Sequence, residues 1–235
     1  MVELLTPAGV PPLFLIEAHS LYDAGYQQGV LAASRIRGWL STPEMKDLLI
    51  FTAANATGSA ALAAMVHDNT AVFPDLVDEL GGIADGARVP MAQIWVASLI
   101  VELEALMPEG RWRDGHCSDI FAAAPGAGGV FSGHNEDWPG SIRDHWYLAA
   151  YRPAAGATEA DVPRCAGLVY PGGLIGWAPG WNGHGVYQAV NSLFPKAVRA
   201  GGLGSAFVQR RALCGGGSGV GVGGGGGGDA LSASR

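Results

Sequence analysis

The chain has 235 residues, a formal net charge of −7 and 49% hydrophobic residues, which fits one globular domain. The acidic balance argues against a nucleic-acid binder or a protein held on an anionic membrane, because both need a basic surface. No run reaches the roughly 18 apolar residues of a transmembrane helix. Pro11 and Pro12 interrupt the apolar N-terminal stretch, so no secretory signal is predicted and we expect an intracellular protein.

The first 107 residues are predicted to be helical apart from one short strand at 13–17. Ser20 is a predicted N-cap of the first helix, and Pro74 and Pro90 stand where proline favours a helix start. Apolar residues at helical spacing predict helices over 20–40, 74–86 and 91–107 and one or two further helices over 43–68, with a break at 68–70.

After Pro108 the pattern changes to short strands separated by turns. The predicted strands are 118–124, 129–134, 146–152, 166–170, 174–177 and 185–190, followed by a helix over 205–213. A helical half followed by consecutive strands indicates an α+β fold, because a parallel α/β sheet would alternate strands with helices.

Cys117 lies at the boundary between the helical and the strand-rich parts. The segment Gly-His-Cys-Ser at 115–118 is followed, after a Pro-Gly-Ala-Gly-Gly turn, by Gly-His-Asn-Glu-Asp at 133–137. If the flanking strands pair as a hairpin, the second segment returns beside Cys117. A thiol with hydrogen-bonding neighbours and donors for an oxyanion is an arrangement that a cysteine nucleophile uses.

The patterns Gly-x-Cys-Ser and Gly-x-Asn-x-Asp resemble the C45 family of autoproteolytic acyltransferases and hydrolases, of the isopenicillin N acyltransferase-like type. Further segments that resemble family motifs are 24–29, 79–87, 173–176, 181–186 and Asn191. The resemblance covers roughly residues 13–213. It implies the N-terminal-nucleophile hydrolase fold, an αββα sandwich of two antiparallel sheets between helical layers.

The resemblance also implies self-cleavage between His116 and Cys117, which would make Cys117 a new N-terminus. Its amine, with a reference pKa of about 8, can then act as the base for the thiol on the same residue. By the same resemblance Asp137 orients the amine, Asn191 contributes to the oxyanion hole and Asn135 supports the site. The implied partners are a small acyl-amide or acyl-thioester substrate and, once cut, the chain's own two fragments as a heterodimer; no cofactor or metal is implied.

Two alternatives remain open. A fatty acyl amidase similar to bile-salt hydrolases or ceramidases would use the same nucleophile, since the side chains that shape an acyl pocket cannot be located from the sequence. A family member that has lost its activity would keep the same motifs. Intact mass and acyl-amide turnover separate the enzyme from the inactive protein.

The remaining polar residues and cysteines are predicted to have other roles. Cys165 and Cys214 are expected to be inert, because three widely spaced cysteines make no disulfide framework. Asp119 and Glu136 are expected near the site entrance or the surface. Four histidines could be considered as metal ligands together with Cys117: His116, His134, His145 and His184. Their spacings match no standard zinc pattern, so no metal site is predicted.

Three parts are predicted along the chain: a helical pro-region at 1–116, a sheet region with the nucleophile at 117–213, and a low-complexity tail at 214–235. Eleven of the 37 glycines fall within residues 215–228. The family resemblance implies further helix and strands where this glycine run stands. We therefore expect a truncated C-terminal part and doubtful activity.

Overall fold

The computed structural model of the chain describes residues 2–4, 9–107, 117–123, 130–191 and 199–215. Helices dominate its first part and strands dominate the part after Cys117, so the predicted α+β class is confirmed. The α-helices are α1 (Leu21–Leu31), α2 (Ala33–Leu40), α3 (Pro43–Ala54), α4 (Ala56–Val72), α5 (Pro74–Ala87), α6 (Met91–Ser98), α7 (Ile100–Glu104) and α8 (Ser205–Cys214). The strands are β1 (Val2–Leu4), β2 (Leu13–Ala18), β3 (Ser118–Ala123), β4 (Val130–Asn135), β5 (Tyr147–Pro153), β6 (Cys165–Val169), β7 (Gly180–Asn182) and β8 (Tyr187–Gln188).

Two of the predicted helices are each two helices, and one predicted break is wrong. The first helix is capped by Ser20, whose hydroxyl accepts from the Asp23 N–H at 3.1 Å, but it is interrupted at Ala32. The helix predicted over 91–107 is interrupted at Leu99. The predicted break at 68–70 lies inside α4, because the Asn69 side chain donates to the Met65 carbonyl at 2.7 Å instead of ending the helix.

The strands form a six-stranded sheet in the order β1-β2-β5-β6-β7-β8 and a separate two-stranded sheet, β3-β4. Within the large sheet β2 and β5 are parallel and the other neighbours are antiparallel. The strand predicted over 174–177 is wrong: this segment is a turn, and the apolar pattern there reflects the burial of Leu174 and Ile175. The sheet instead takes up Gly180–Asn182, which the sequence pattern missed.

Helices α1 and α5 pack against each other through glycines, and these glycines belong to the two upstream motifs. A methyl group at Gly25 or Gly29 would overlap the backbone of Glu79 or Ile83 in α5. A methyl group at Gly82 or Gly86 would overlap the backbone of α1 in the same way. The helix axes can therefore lie this close only because small residues face each other on both helices.

A buried ion pair and a disulfide attach α8 to the rest of the fold. Arg210 Nη2 lies 2.9 Å from Glu79 Oε2, and both side chains are almost fully buried. Cys165 at the start of β6 is bonded to Cys214 at the end of α8, with the Cα atoms 5.6 Å apart. The expectation of no disulfide was wrong for this pair, since β6 and α8 bring two residues that lie 49 apart in sequence into bonding distance. Cys214 is thus part of the helix rather than the first residue of the tail.

Within the described residues no helix is by itself long and apolar enough to cross a membrane. The helices α3 and α4 reach the required length and composition only when taken together, and they are bent by 90° at their junction.

Candidate active site

The β3–β4 hairpin determines the position of Cys117. Its register pairs Ser118 with Asn135, so residues 135–137 return beside the thiol, and the predicted hairpin is confirmed. The hairpin exposes apolar side chains and contacts the larger sheet through the ring of Phe121, which lies edge-on at 5.8 Å from that of Tyr187. The geometry of the site therefore depends on a short hairpin that carries the nucleophile candidate at its base.

A network of hydrogen bonds centres on His134, which is opposite Asp119 in the hairpin register. The Nδ1 atom of His134 lies 2.9 Å from Asp119 Oδ1, and its Nε2 atom lies 2.6 Å from Glu136 Oε2. The hydroxyl of Tyr170 donates to the other carboxylate oxygen of Glu136. The His134 side chain is only 5% exposed, so these polar groups satisfy one another away from bulk water.

Cys117 is the free cysteine of the described chain and is half-buried. Burial raises the pKa of the Cys117 thiol; the backbone N–H of Asp137 opposes this shift, and the neighbouring Glu136 carboxylate adds to it. The thiol sulfur lies within 4.8 Å of a Glu136 carboxylate oxygen. Cys117 is therefore protonated at neutral pH and needs a base before it can attack a carbonyl carbon.

The buried carboxyl and imidazole of the network have raised pKa values. Burial raises the pKa of Glu136 above the ordinary carboxyl value, and the hydrogen bond to His134 opposes this shift only in part. Burial lowers the pKa of His134, but its hydrogen bonds to Asp119 and Glu136 outweigh that effect, so the net shift is upward from 6.5. Both groups thus hold their protons more firmly than they would in water.

The other predicted site residues lie at the same end of the hairpin. Asn135 is paired with Ser118 in the hairpin, and its Nδ2 donates to Asp137 Oδ1 at 2.6 Å. Asn191 Nδ2 donates to Asp119 Oδ2 at 2.9 Å. The structure therefore brings Asn135 and Asp137 beside Cys117, as the motif spacing predicted, and it places Asn191, which only the family resemblance had indicated, against Asp119. His116 lies outside the described residues.

Three donor atoms of the cluster lie close enough to raise the question of a metal site. Atoms of Cys117, His134 and Glu136 lie within 4.8 Å of one another. However, two ligands that each lie about 2 Å from a metal ion are about 3 Å or more apart. The 2.6 Å between His134 Nε2 and Glu136 Oε2 is a hydrogen-bond distance instead. We therefore interpret the cluster as a hydrogen-bonded network.

The other histidines considered for a metal site do not belong to this cluster. His145 lies against Gly38 of α2, and His184 Nε2 lies 3.7 Å from Glu159 on an exposed surface.

Three aromatic side chains that follow the Asn-Glu-Asp segment in the sequence pack against one another. The Tyr170 ring lies 4.4 Å from that of Trp177 and 5.0 Å from that of Trp138, centroid to centroid.

Sequence reasoning undervalued His134, Glu136 and Asp119, and it missed Tyr170. The signal for Asp119 and His134 was available, because the predicted hairpin places residues on adjacent strands opposite each other. No signal in the sequence points to Tyr170, which comes from the end of β6 and reaches Glu136 through the tertiary fold.

Comparisons with known proteins agree with the motifs. The family model described as "Acyl-coenzyme A:6-aminopenicillanic acid acyl-transferase" matches residues 125–214. The chain is also similar to the beta-alanyl-dopamine/carcinine hydrolase of Drosophila melanogaster, with 24% identity over 213 residues, 87% of this chain and 54% of that protein. The resemblance to the C45 family is confirmed.

The C45-like chain spans about half the length of this curated relative. The family model covers Asn135, Asp137 and Asn191 and begins after Cys117. The family model is named for an acyl-transferase and the relative for a hydrolase.

Proposed function

We propose that the chain is a self-processing cysteine hydrolase or acyltransferase that opens linear amide or thioester bonds through an acyl-enzyme on Cys117. The observation that carries this proposal is the position of the thiol at the base of the hairpin, where the pairing of Ser118 with Asn135 brings residues 135–137 beside it. The proposal includes the αββα sandwich of N-terminal-nucleophile hydrolases. The packing of α1 on β2 supports a helical layer on the larger sheet, whereas the parallel pairing of β2 with β5 departs from an all-antiparallel sheet.

In the proposed reaction, cleavage between His116 and Cys117 provides an amine on the nucleophile. This amine takes the thiol proton, and Asp137 orients it. Asn191 stabilises the oxyanion. Because its amide now donates to Asp119, Asn191 must exchange that hydrogen bond for one to the substrate. Water completes a hydrolysis, and an amine completes a transfer.

The proposed division of the chain is a pro-region at 1–116, a nucleophile region at 117–214 and a tail from 215. The two cut pieces would remain together, because β2 belongs to the same sheet as the strands after Cys117. The name of the relative suggests β-alanyl amides as the first substrates to test. Three carboxylates near the thiol, those of Asp119, Glu136 and Asp137, favour such amine-bearing acyl groups over fatty acyl groups.

Intact-mass analysis of the purified chain tests the proposal. We expect pieces corresponding to 1–116 and 117–235, and hydrolysis of β-alanyl-dopamine or carcinine by the cut protein. The variant Cys117→Ala should remain uncut and lose at least about 1,000-fold in turnover. His184→Ala is the control, since this exposed histidine pairs with Glu159 outside the cluster. A wild-type chain that stays whole and hydrolyses neither β-alanyl nor fatty acyl amides would instead be an inactive family member.

A further inference from the structure

In the proposed self-cleavage the Cys117 thiol must lose its proton, and the proposed function names no base for this first step. Before the cut, the nitrogen of Cys117 is part of a peptide bond, and an amide nitrogen cannot accept the thiol proton. Because the pKa of the thiol is raised, little thiolate is present at neutral pH, and the attack requires a base. A second group must therefore act on the uncut chain.

Glu136 is placed for this task. One of its carboxylate oxygens lies within 4.8 Å of the Cys117 sulfur. One carboxylate oxygen is held by His134 Nε2 at 2.6 Å, and the other accepts from Tyr170. Each carboxylate oxygen has two lone pairs, so Glu136 can accept the thiol proton while both restraining bonds remain.

We propose that Glu136 is the general base that takes the Cys117 proton in self-cleavage, and that His134 and Tyr170 are positioning residues that aim its carboxylate. This inference rests on the proposed function, because it describes the maturation of the same nucleophile. Asp119 completes the arrangement by holding His134 Nδ1 at 2.9 Å, which fixes the orientation of the ring.

The bonds and protons balance along this route. The S–H bond of Cys117 breaks, its proton moves to Glu136, and the sulfur forms a bond to the carbonyl carbon of residue 116. The C–N bond to Cys117 then breaks as Glu136 returns the proton to the leaving nitrogen. Water hydrolyses the resulting thioester, which frees the carboxyl group of residue 116 and restores the thiol beside a new amine. From then on the amine can take over as the base.

The arrangement also explains why Glu136 suits the task better than an exposed carboxylate. The burial that raises its pKa brings its basicity closer to that of the thiol, which lowers the cost of the proton transfer. Asp137 accepts from Asn135 instead, at 2.6 Å. The two acidic neighbours of the nucleophile thus have separate tasks, one before the cut and one after it.

A time course of cleavage in the full chain tests the inference. The chain is made by cell-free synthesis and sampled by intact mass at several pH values. We expect Glu136→Gln to slow the cut by about 100-fold or more. Glu159→Gln, an exposed glutamate paired with Arg164, should cut at the wild-type rate. Wild-type cleavage should accelerate as the pH rises through the pKa of Glu136, and Glu136→Gln should lose that dependence.

Failure of this inference is distinguishable from failure of the proposed function. If the wild-type chain does not cut, the proposed function fails. If the wild type cuts and Glu136→Gln cuts equally fast, only the base assignment is overturned. In Glu136→Gln the rate of cutting should fall more than the turnover per cut chain; an equal loss of turnover and cutting overturns the assignment to maturation. Should Glu136→Gln not fold, Tyr170→Phe should still slow the cut by about tenfold, and an unchanged rate overturns the proposal.

Discussion

The carboxylates on both sides of His134 imply a particular protonation state for this residue. A neutral imidazole has one N–H, so it could donate to only one of Asp119 and Glu136. An imidazolium donates to both, which agrees with ring nitrogens 2.9 and 2.6 Å from the two carboxylates. At pH values where His134 is protonated, its positive charge therefore lies between the two carboxyl groups at the base of the hairpin.

This arrangement predicts how stability changes with pH. The pKa of folded His134 is raised, so its contribution is complete below the unfolded value near 6.5 and is lost as the pH rises through the folded value. We expect the free energy of unfolding of the wild type to fall more steeply above pH 6.5 than that of His134→Gln. Urea unfolding followed by tryptophan fluorescence, repeated over pH 5.5–8.5, measures this difference. Parallel curves for the two proteins would contradict it.

Part of this residue-level arrangement could be predicted from the sequence. The turn between two short strands implied that Asn135 and Asp137 return beside Cys117, since a hairpin fixes which residues face each other. The role of Glu136 could not be predicted in the same way. It depends on Tyr170, which lies 34 residues further along the chain and meets Glu136 only through the packing of the larger sheet.

At the scale of secondary-structure elements, the contact between α1 and α5 explains two of the sequence motifs. The glycines of these motifs lie at i and i+4 on each helix, so they share one face and let the backbones approach. Buried Gln28, also in the first motif, extends this contact to the sheet by donating to the Tyr147 hydroxyl of β5 at 3.1 Å. These motifs thus serve helix packing in the folded chain.

Substituting these glycines by alanine should distinguish the effect of the close helix contact on stability from the effect of helix propensity. Gly25→Ala places a methyl group against the Glu79 carbonyl, so we expect it to lower the free energy of unfolding by about 2 kcal/mol or more. Gly81→Ala is the matched control in α5, because its nearest neighbour is the edge of the Tyr22 ring at 4.0 Å. This control should gain up to about 1 kcal/mol from helix propensity. Chemical denaturation measures both, and equal losses would show that the close contact does not matter.

The sequence predicted most helices and strands but not their interruptions. Apolar spacing continues through Ala32 and Leu99, so periodicity alone could not show that the helices change direction there. At Asn69 the sequence predicted an interruption that the structure does not have. It is typical of helix ends, yet its side chain also holds Gly204 N at 3.0 Å, and this tertiary bond keeps it inside α4.

At the scale of the whole molecule, the parts before and after Cys117 form one body. The parallel pairing of β2 with β5 joins them in one sheet, and the Arg210–Glu79 pair joins α8 to α5. Arg210 also lies over the Tyr151 ring, 5.7 Å from its centroid. A cut at Cys117 would therefore break one peptide bond while leaving the principal contacts in place.

Neighbouring arginines of α8 allow the buried pair to be tested. Arg210→Met leaves Glu79 without its partner in the interior, so we expect a loss of about 3–5 kcal/mol in the free energy of unfolding. Arg211→Met breaks a pair with Asp75 whose side chains are 37% and 44% exposed, and it should cost at most about 1 kcal/mol. Urea titration of both variants gives the comparison. Similar losses would mean that Glu79 is satisfied by other groups.

The bond between Cys165 and Cys214 has a topological consequence. It converts the segment between these residues into a covalent ring, with Asn191 on the ring and Cys117 outside it. Closing a loop whose ends are 49 residues apart lowers the entropy of the unfolded chain by the equivalent of about 4 kcal/mol. A single proteolytic break anywhere on the ring would leave both new ends attached to the same molecule. While the disulfide is oxidised, such a break cannot detach Asn191 from the molecule.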